Sequence, residues 1–235
     1  AMRWTALDAD SDPIAAGLAI ARATSAADFV DAATRLWVAP MQNMVVADRA
    51  GQIAVVSPGR VPLRKRDNDL MGLVPAPAWD ARYDWQGFIP AAQTPRETQP
   101  ARGWIASANQ RIHGNDYPYY LTSEWAVPYR QQRIEQLLRA RDKHSIGDMA
   151  AMQADVLSLA TQRLLPWPQR ARSEHALAAA AEAALKNFNG EMRADDSAPL
   201  IFWAWSRRLV RAVFTDALGG PAVYERVLGA RSFRD

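Results

Sequence analysis

Met44-Val45-Val46-Ala47-Asp48-Arg49-Ala50-Gly51-Gln52-Ile53-Ala54-Val55-Val56 is the stretch that decides how this chain folds. Two β-prone runs flank a polar segment closed by glycine, the pattern of an antiparallel hairpin with a turn longer than the tightest two-residue type. Upstream, Ser25 reads as a helix N-cap with Asp28 in the first turn. Phe29, Ala32, Ala33 and Leu36 then recur at helical spacing, and Pro40 ends that helix. Helix followed by hairpin predicts a mixed α+β fold.

Working outward, the composition changes between residues 58 and 100. Prolines at 58, 62, 75, 77, 90, 95 and 100 exclude continuous helix or central strand over most of this stretch. Trp79, Tyr83, Trp85 and Phe88 are interleaved with them, so the segment is expected to wrap over a sheet as an ordered loop. Gly103-Trp104-Ile105-Ala106-Ser107-Ala108-Asn109 predicts a short buried strand ending at a polar residue. The remainder reads as helical. One helix covers 129–141, and a second runs from its cap Ser145 to about residue 165, closed by Pro166 and Pro168. A third covers 174–187 with Gly190 beyond it, and a fourth runs from 199 to 218 and stops at Gly219-Gly220. Two portions are expected: a sheet-containing 1–128 with the long Pro/Trp-rich loop, and a helical 129–235.

Composition narrows the function. The 235 residues are 49% hydrophobic and 23% charged, which fits a globular chain and argues against disorder. No apolar run approaches the ~18–20 residues that cross a bilayer, and the opening residues lack the apolar core of a secretion signal. Cysteine is absent, which removes disulfides, thiolate metal sites and cysteine nucleophiles together. The 28 basic and 25 acidic residues are mixed along the chain, whereas a nucleic-acid binder concentrates its charge. Arg64-Lys65-Arg66, followed by Asp67 and Asp69, reads as a solvated loop. Neither nucleic acid nor membrane is expected as a partner.

No catalytic set is complete. His113, His144 and His175 do not stand at metal-ligand spacing. No Gly-x-Ser-x-Gly elbow and no phosphate-cradling glycine loop occur. Asn109 reads either as an amide aimed rigidly from a strand end or as a cap on the following turn. Arg130 reads, by itself, as a solvated arginine at a helix start.

A series of spaced motifs is more informative. Arg3-Trp4-Thr5-Ala6-Leu7-Asp8 comes first. Ala39-Pro40-Met41-Gln42-Asn43 runs into the hairpin, and Gly59-Arg60-Val61-Pro62-Leu63-Arg64 follows. Then come Tyr83-Asp84-Trp85-Gln86-Gly87-Phe88-Ile89-Pro90 and the 103–110 segment. Tyr129-Arg130-Gln131-Gln132-Arg133-Ile134 and Met152-Gln153-Ala154-Asp155-Val156-Leu157-Ser158 complete it. In order and spacing the series resembles the β chain of the penicillin acylase family of N-terminal nucleophile hydrolases, over residues 3–205.

The resemblance implies part of an Ntn-hydrolase αββα sandwich with a helical C-terminal region. It implies cleavage of N-acyl amides, either β-lactam side chains or acyl-homoserine lactones. The nucleophile is a serine whose own α-amine is the general base, a suitable role for a group with reference pKa ~8. Asn109 matches the asparagine that stabilises the oxyanion, and Arg130 the arginine that organises the site. Gln42 falls where the family lines its acyl pocket, with Asn43 beside it.

The departures carry expectations of their own. Ala1-Met2 offers no hydroxyl or thiol, and Met2 reads as an artificial start. The nucleophile is therefore expected from a missing N-terminal part of the β chain, partnered by a separate α chain, and this chain alone is expected not to hydrolyse amides. No cofactor is expected, and the calcium ligands of intact relatives are not matched by Asp116 or Glu124. Half a sheet leaves an unpaired edge, so self-association is expected. The resemblance implies a periplasmic or exported location. The alternative reading is a non-catalytic acyl- or β-lactam-binding module, or an inert structural fragment.

Overall fold

Helix nucleation is costly, so capping residues decide where the chain starts to order. Asp12 accepts a hydrogen bond from Ala15 N–H at 2.8 Å and Pro13 occupies the first helical position, which starts α1, Pro13–Ala21. Ser25 Oγ accepts from Asp28 N–H at 3.1 Å and starts α2, Ala26–Leu36, with the cap that the sequence predicts; the helix ends at Leu36, before Pro40. The computed structural model describes residues 2–229, and the chain divides into two units, Ala1–Trp125 and Ala126–Asp235.

In the first unit the hairpin forms as read. Strands β1, Met44–Ala47, and β2, Ile53–Val56, pair antiparallel with Val45 opposite Val55. Gly51 takes φ +81° in the turn, a conformation that a side chain would penalise. Asp48 closes the turn and caps the helix together. Its Oδ1 accepts from Gln52 N–H at 2.9 Å and its Oδ2 from Ala26 N–H at 3.0 Å. α2 packs on β2, and Ala26, Ala33, Ala54 and Val56 are all buried.

The proline-rich stretch is more structured than an ordered loop. It contains β3, Pro62–Arg64, β4, Trp85–Phe88, and β5, Arg96–Thr98. β5 adds antiparallel to β2, giving the order β1-β2-β5, while β3 and β4 form a separate two-stranded ribbon. The prolines permit this because they stand at strand margins: Pro62 opens β3, Pro90 follows β4 and Pro95 precedes β5, positions where a missing N–H is tolerated. The basic run is also only partly solvated, since Arg64 and Lys65 are half-buried. The strand expected at 103–109 is absent. Residues 104–107 are irregular and half-buried, Ala108 is buried, and Asn109 is exposed. Among the described residues no strand pairs with this segment; partial burial alone does not make a ladder.

The second unit is helical. α3 spans Tyr129–Arg139, and α4, Ile146–Gln153, begins with a full capping box between Ser145 and Asp148. The single helix expected from 145 to 165 is broken. Ser158 N–H donates to Gly190 O and Met192 N–H to Val156 O, both at 2.9 Å, so residues 156–158 leave the helix to pair with 190–192. Ser158 then caps α5, Leu159–Leu164. Pro166 does not close the helical region but takes the first position of α6, Pro166–Arg170, where proline lacks nothing the helix needs. α7, Ala178–Lys186, is shorter than expected, and α8, Ala198–Ala217, matches the fourth helix. α9, Pro221–Tyr224, follows the paired glycines. Leu165, Leu185, Phe188, Ala198 and Phe202 form the core, with Met192, Ile201 and Trp205 against it. Among the described residues no helix is long and apolar enough to cross a membrane.

Candidate active site

Motifs far apart in sequence meet within the first unit. Arg3 lies 4.3 Å over the Trp85 ring. Arg60 pairs with Asp8 at 2.8 Å and Asp10 at 2.7 Å, and its guanidinium lies 5.2 Å over Phe88. Three of the motifs that define the resemblance are thereby held together by cation–π and ionic contacts.

The amide of Asn43 makes the connection closest to the candidate site. Its Oδ1 accepts from Ser57 Oγ at 2.8 Å, and its Nδ2 donates to Ser107 Oγ at 2.9 Å. Ser57 is 1% exposed and its N–H is bonded to Pro95 O at 2.9 Å, so one end of this relay is anchored in the interior beside β5. The other end fixes the irregular 104–109 segment. Gln42, next in the chain, is exposed, and its N–H donates to Pro58 O at 3.2 Å. This close approach depends on Gly59, with φ +139°, where a Cβ would come within 2.7 Å of Met41 Cα.

Asn109 stands two residues beyond Ser107 with φ +65°. Left-handed backbone costs roughly 1–2 kcal/mol for most side chains, and asparagine tolerates it best after glycine. Burial of Ala108 and the bond from Ala108 N–H to Gln110 Oε1 at 2.8 Å hold the turn that carries it. The segment thus presents an exposed carboxamide on a backbone secured from both sides. Such an amide can donate a hydrogen bond to developing negative charge but cannot abstract a proton. Gln42, Asn43, Ser57, Ser107 and Asn109 carry amides and hydroxyls, so this cluster supplies hydrogen-bond donors and acceptors and no general base among these five side chains.

Arg130 belongs to the second unit, in the first turn of α3, and is exposed. A helix N-terminus disfavours a cation, so local helix electrostatics do not account for arginine there. One turn further, Arg133 makes a bidentate pair with Asp155, Nε to Oδ1 at 2.9 Å and Nη2 to Oδ2 at 2.6 Å. That pair joins the last two motifs of the series and holds the Asp155 carboxyl below its usual range, through the hydrogen bond first and in spite of burial.

Sequence reasoning singled out Gln42, Asn43 and Asn109, and the first unit holds all three. It missed Ser57 and did not assign a role to Ser107. A serine following a β-prone run has no periodic signature, and only the three-dimensional relay gives it meaning. Among the described residues no group of three or more histidine or carboxylate side chains is arranged to hold a metal ion.

The sequence profile of the penicillin amidase family matches residues 1–234. An acyl-homoserine lactone acylase of Pseudomonas aeruginosa, QuiP, is 32% identical over 225 residues, covering 86% of this chain and 25% of that protein. Penicillin acylase 2 proenzyme of a Pseudomonas species is 39% identical over 136 residues, covering 58% of this chain and 17% of that protein. The solved structure of a thermostable penicillin G acylase from Alcaligenes faecalis superposes with a TM-score of 0.75 at 20% identity, over 98% of this chain and 42% of that one. The chain therefore spans a quarter or less of the length of these curated relatives.

Proposed function

This chain belongs to the penicillin amidase family, and on that premise we propose that it is the intermediate-stabilising part of an enzyme cleaving N-acyl amides. The acyl donors are β-lactam side chains or acyl-homoserine lactones. The nucleophilic serine, with its α-amine as base, comes from a segment outside these 235 residues, and this chain alone does not turn over substrate. In this reading the β1-β2-β5 sheet and its helices contribute to an αββα sandwich that the other segments complete.

Each residue then has a task. The serine Oγ attacks the amide carbonyl, its own amine takes the proton, and the carbonyl oxygen becomes an oxyanion. Asn109 donates to that oxyanion. Asn43, through Ser107, keeps the segment carrying Asn109 in place, and it borders the acyl pocket together with Gln42. Arg130 organises the site and the polar part of the substrate. What supports this most is the exposed, left-handed Asn109 on a segment braced by Asn43 and Ser107. A rigid donor is what oxyanion stabilisation requires, because a fixed dipole needs no reorganisation during reaction.

The test is a chromogenic phenylacetyl or fatty-acyl amide, assayed first with this chain and then with the serine-bearing segments added. The expected result is no turnover in the first case and turnover in the second. Hydrolysis by the chain alone would overturn the assignment of the nucleophile to another segment.

A further inference from the structure

Several arginines of the first unit are neutralised: Arg35 by Asp31, Arg60 by Asp8 and Asp10, Arg82 by Asp80, and Arg102 by Glu97. Arg64 and Arg3 depart from this. Arg64 ends β3 half-buried, and burial pulls its guanidinium below the usual arginine range. Its facing group is an aromatic one, Tyr120, with the ring 5.8 Å away. Arg3 stacks on Trp85. Among the described residues no carboxylate pairs with either.

Both line the same open cavity, of about 490 Å³, whose other walls include Leu73, Pro75 and Trp85. That size lies within the range of about 300–1,000 Å³ typical of small-molecule sites. The loop over Arg64 is built to admit its guanidinium. Asn68, 6% exposed, accepts from Met71 N–H at 2.8 Å and Leu70 N–H at 3.2 Å. Met71 and Gly72 follow with φ of +47° and +80°, and a Cβ at Gly72 would lie 2.6 Å from Arg64 Nη2. Asp69 on the same loop is engaged elsewhere, accepting from the Tyr83 hydroxyl at 3.0 Å and lying 4.0 Å from Arg82.

A half-buried cation without a counter-charge is costly, and a planar guanidinium matches a carboxylate in two-point geometry. We propose that this cavity binds the carboxylate of a small organic acid, with Arg64 and Arg3 at its charged end and Leu73, Pro75 and Trp85 against its apolar body. The site uses none of the residues assigned to amide cleavage and stands independently of that reading.

Calorimetric titration of the 235-residue chain with phenylacetate and octanoate tests this, with phenylacetamide and octanamide as uncharged counterparts. Saturable binding is expected for the acids, about tenfold or more weaker for the amides and for Arg64→Met. Arg64→Lys should restore part of the loss, since it returns charge without the fork. Affinity should also fall between about 50 mM and about 500 mM salt. The comparison of acid with amide needs no substitution, so it stands even if Arg64→Met folds poorly. Equal affinity for acid and amide, or no saturable binding of either acid, would overturn the proposal.

Discussion

Asn43 Nδ2 donates to Ser107 Oγ at 2.9 Å across 64 residues of chain. The strand-entering residue of the hairpin thereby fixes an irregular segment that no β-ladder holds. Since Asn43 also accepts from buried Ser57, its side chain spans interior and candidate site. Asn43→Ala leaves the Ser57 hydroxyl buried without this acceptor, at a cost of about 1–3 kcal/mol. Ser107→Ala, removing a half-buried hydroxyl, should cost less, about 0.5–1.5 kcal/mol. Urea unfolding of both variants checks the order, and a larger loss for Ser107→Ala would contradict the relay.

Gly59 and Gly51 both have positive φ, but their surroundings differ. A Cβ at Gly59 would meet Met41 Cα at 2.7 Å, whereas at Gly51 nothing lies within 4 Å. Gly51→Ala should cost about 1 kcal/mol from backbone alone. Gly59→Ala should cost more, about 2–3 kcal/mol, as steric displacement adds to strain. Thermal melts of the two variants measured side by side give the comparison.

Asp48 bonds the N–H groups of Ala26 and Gln52, which hold its carboxyl below the usual aspartate range. A carboxyl depressed on folding stabilises the fold above its unfolded pKa, and the benefit is lost as pH falls through the folded value. Asp48→Asn should therefore be less stable than the wild type at neutral pH. The two stabilities should converge in acid, below about pH 4. Denaturant titrations over pH 3–7 follow this, and a gap that widens in acid would contradict it.

The Arg133–Asp155 pair has side chains 25% and 20% exposed, which places it between surface and interior. Removing one partner leaves the other charge poorly solvated, so each single change, Arg133→Met or Asp155→Asn, should destabilise more than half the double change does. A double-mutant cycle should return coupling of about 0.5–3 kcal/mol, and a value near zero would reduce the pair to a surface ornament.

What the sequence made legible follows from the distance over which each signal acts. The α2 cap at Ser25 and the Met44–Val56 hairpin are local and were readable from their own residues. β3, β4 and β5 were not, because each is three or four residues long and exists through its partner: β5 through β2, β3 through β4. The break after α4 was hidden for the same reason, as residues 156–158 are drawn out of helix by 190–192. In the second unit, the first-turn position of Arg130 was legible from the helix start. The brace beneath Asn109 was not, since nothing in the pattern around residue 43 announces contact with residue 107.

The central claim is that Asn109 donates to the oxyanion, and steady-state kinetics of Asn109→Ala in the serine-bearing enzyme test it most directly. The account predicts that kcat falls about 10²–10³-fold while KM stays within about threefold, the mark of an interaction made in the transition state. A folded Asn109→Ala enzyme with kcat within about threefold of the wild type would contradict it.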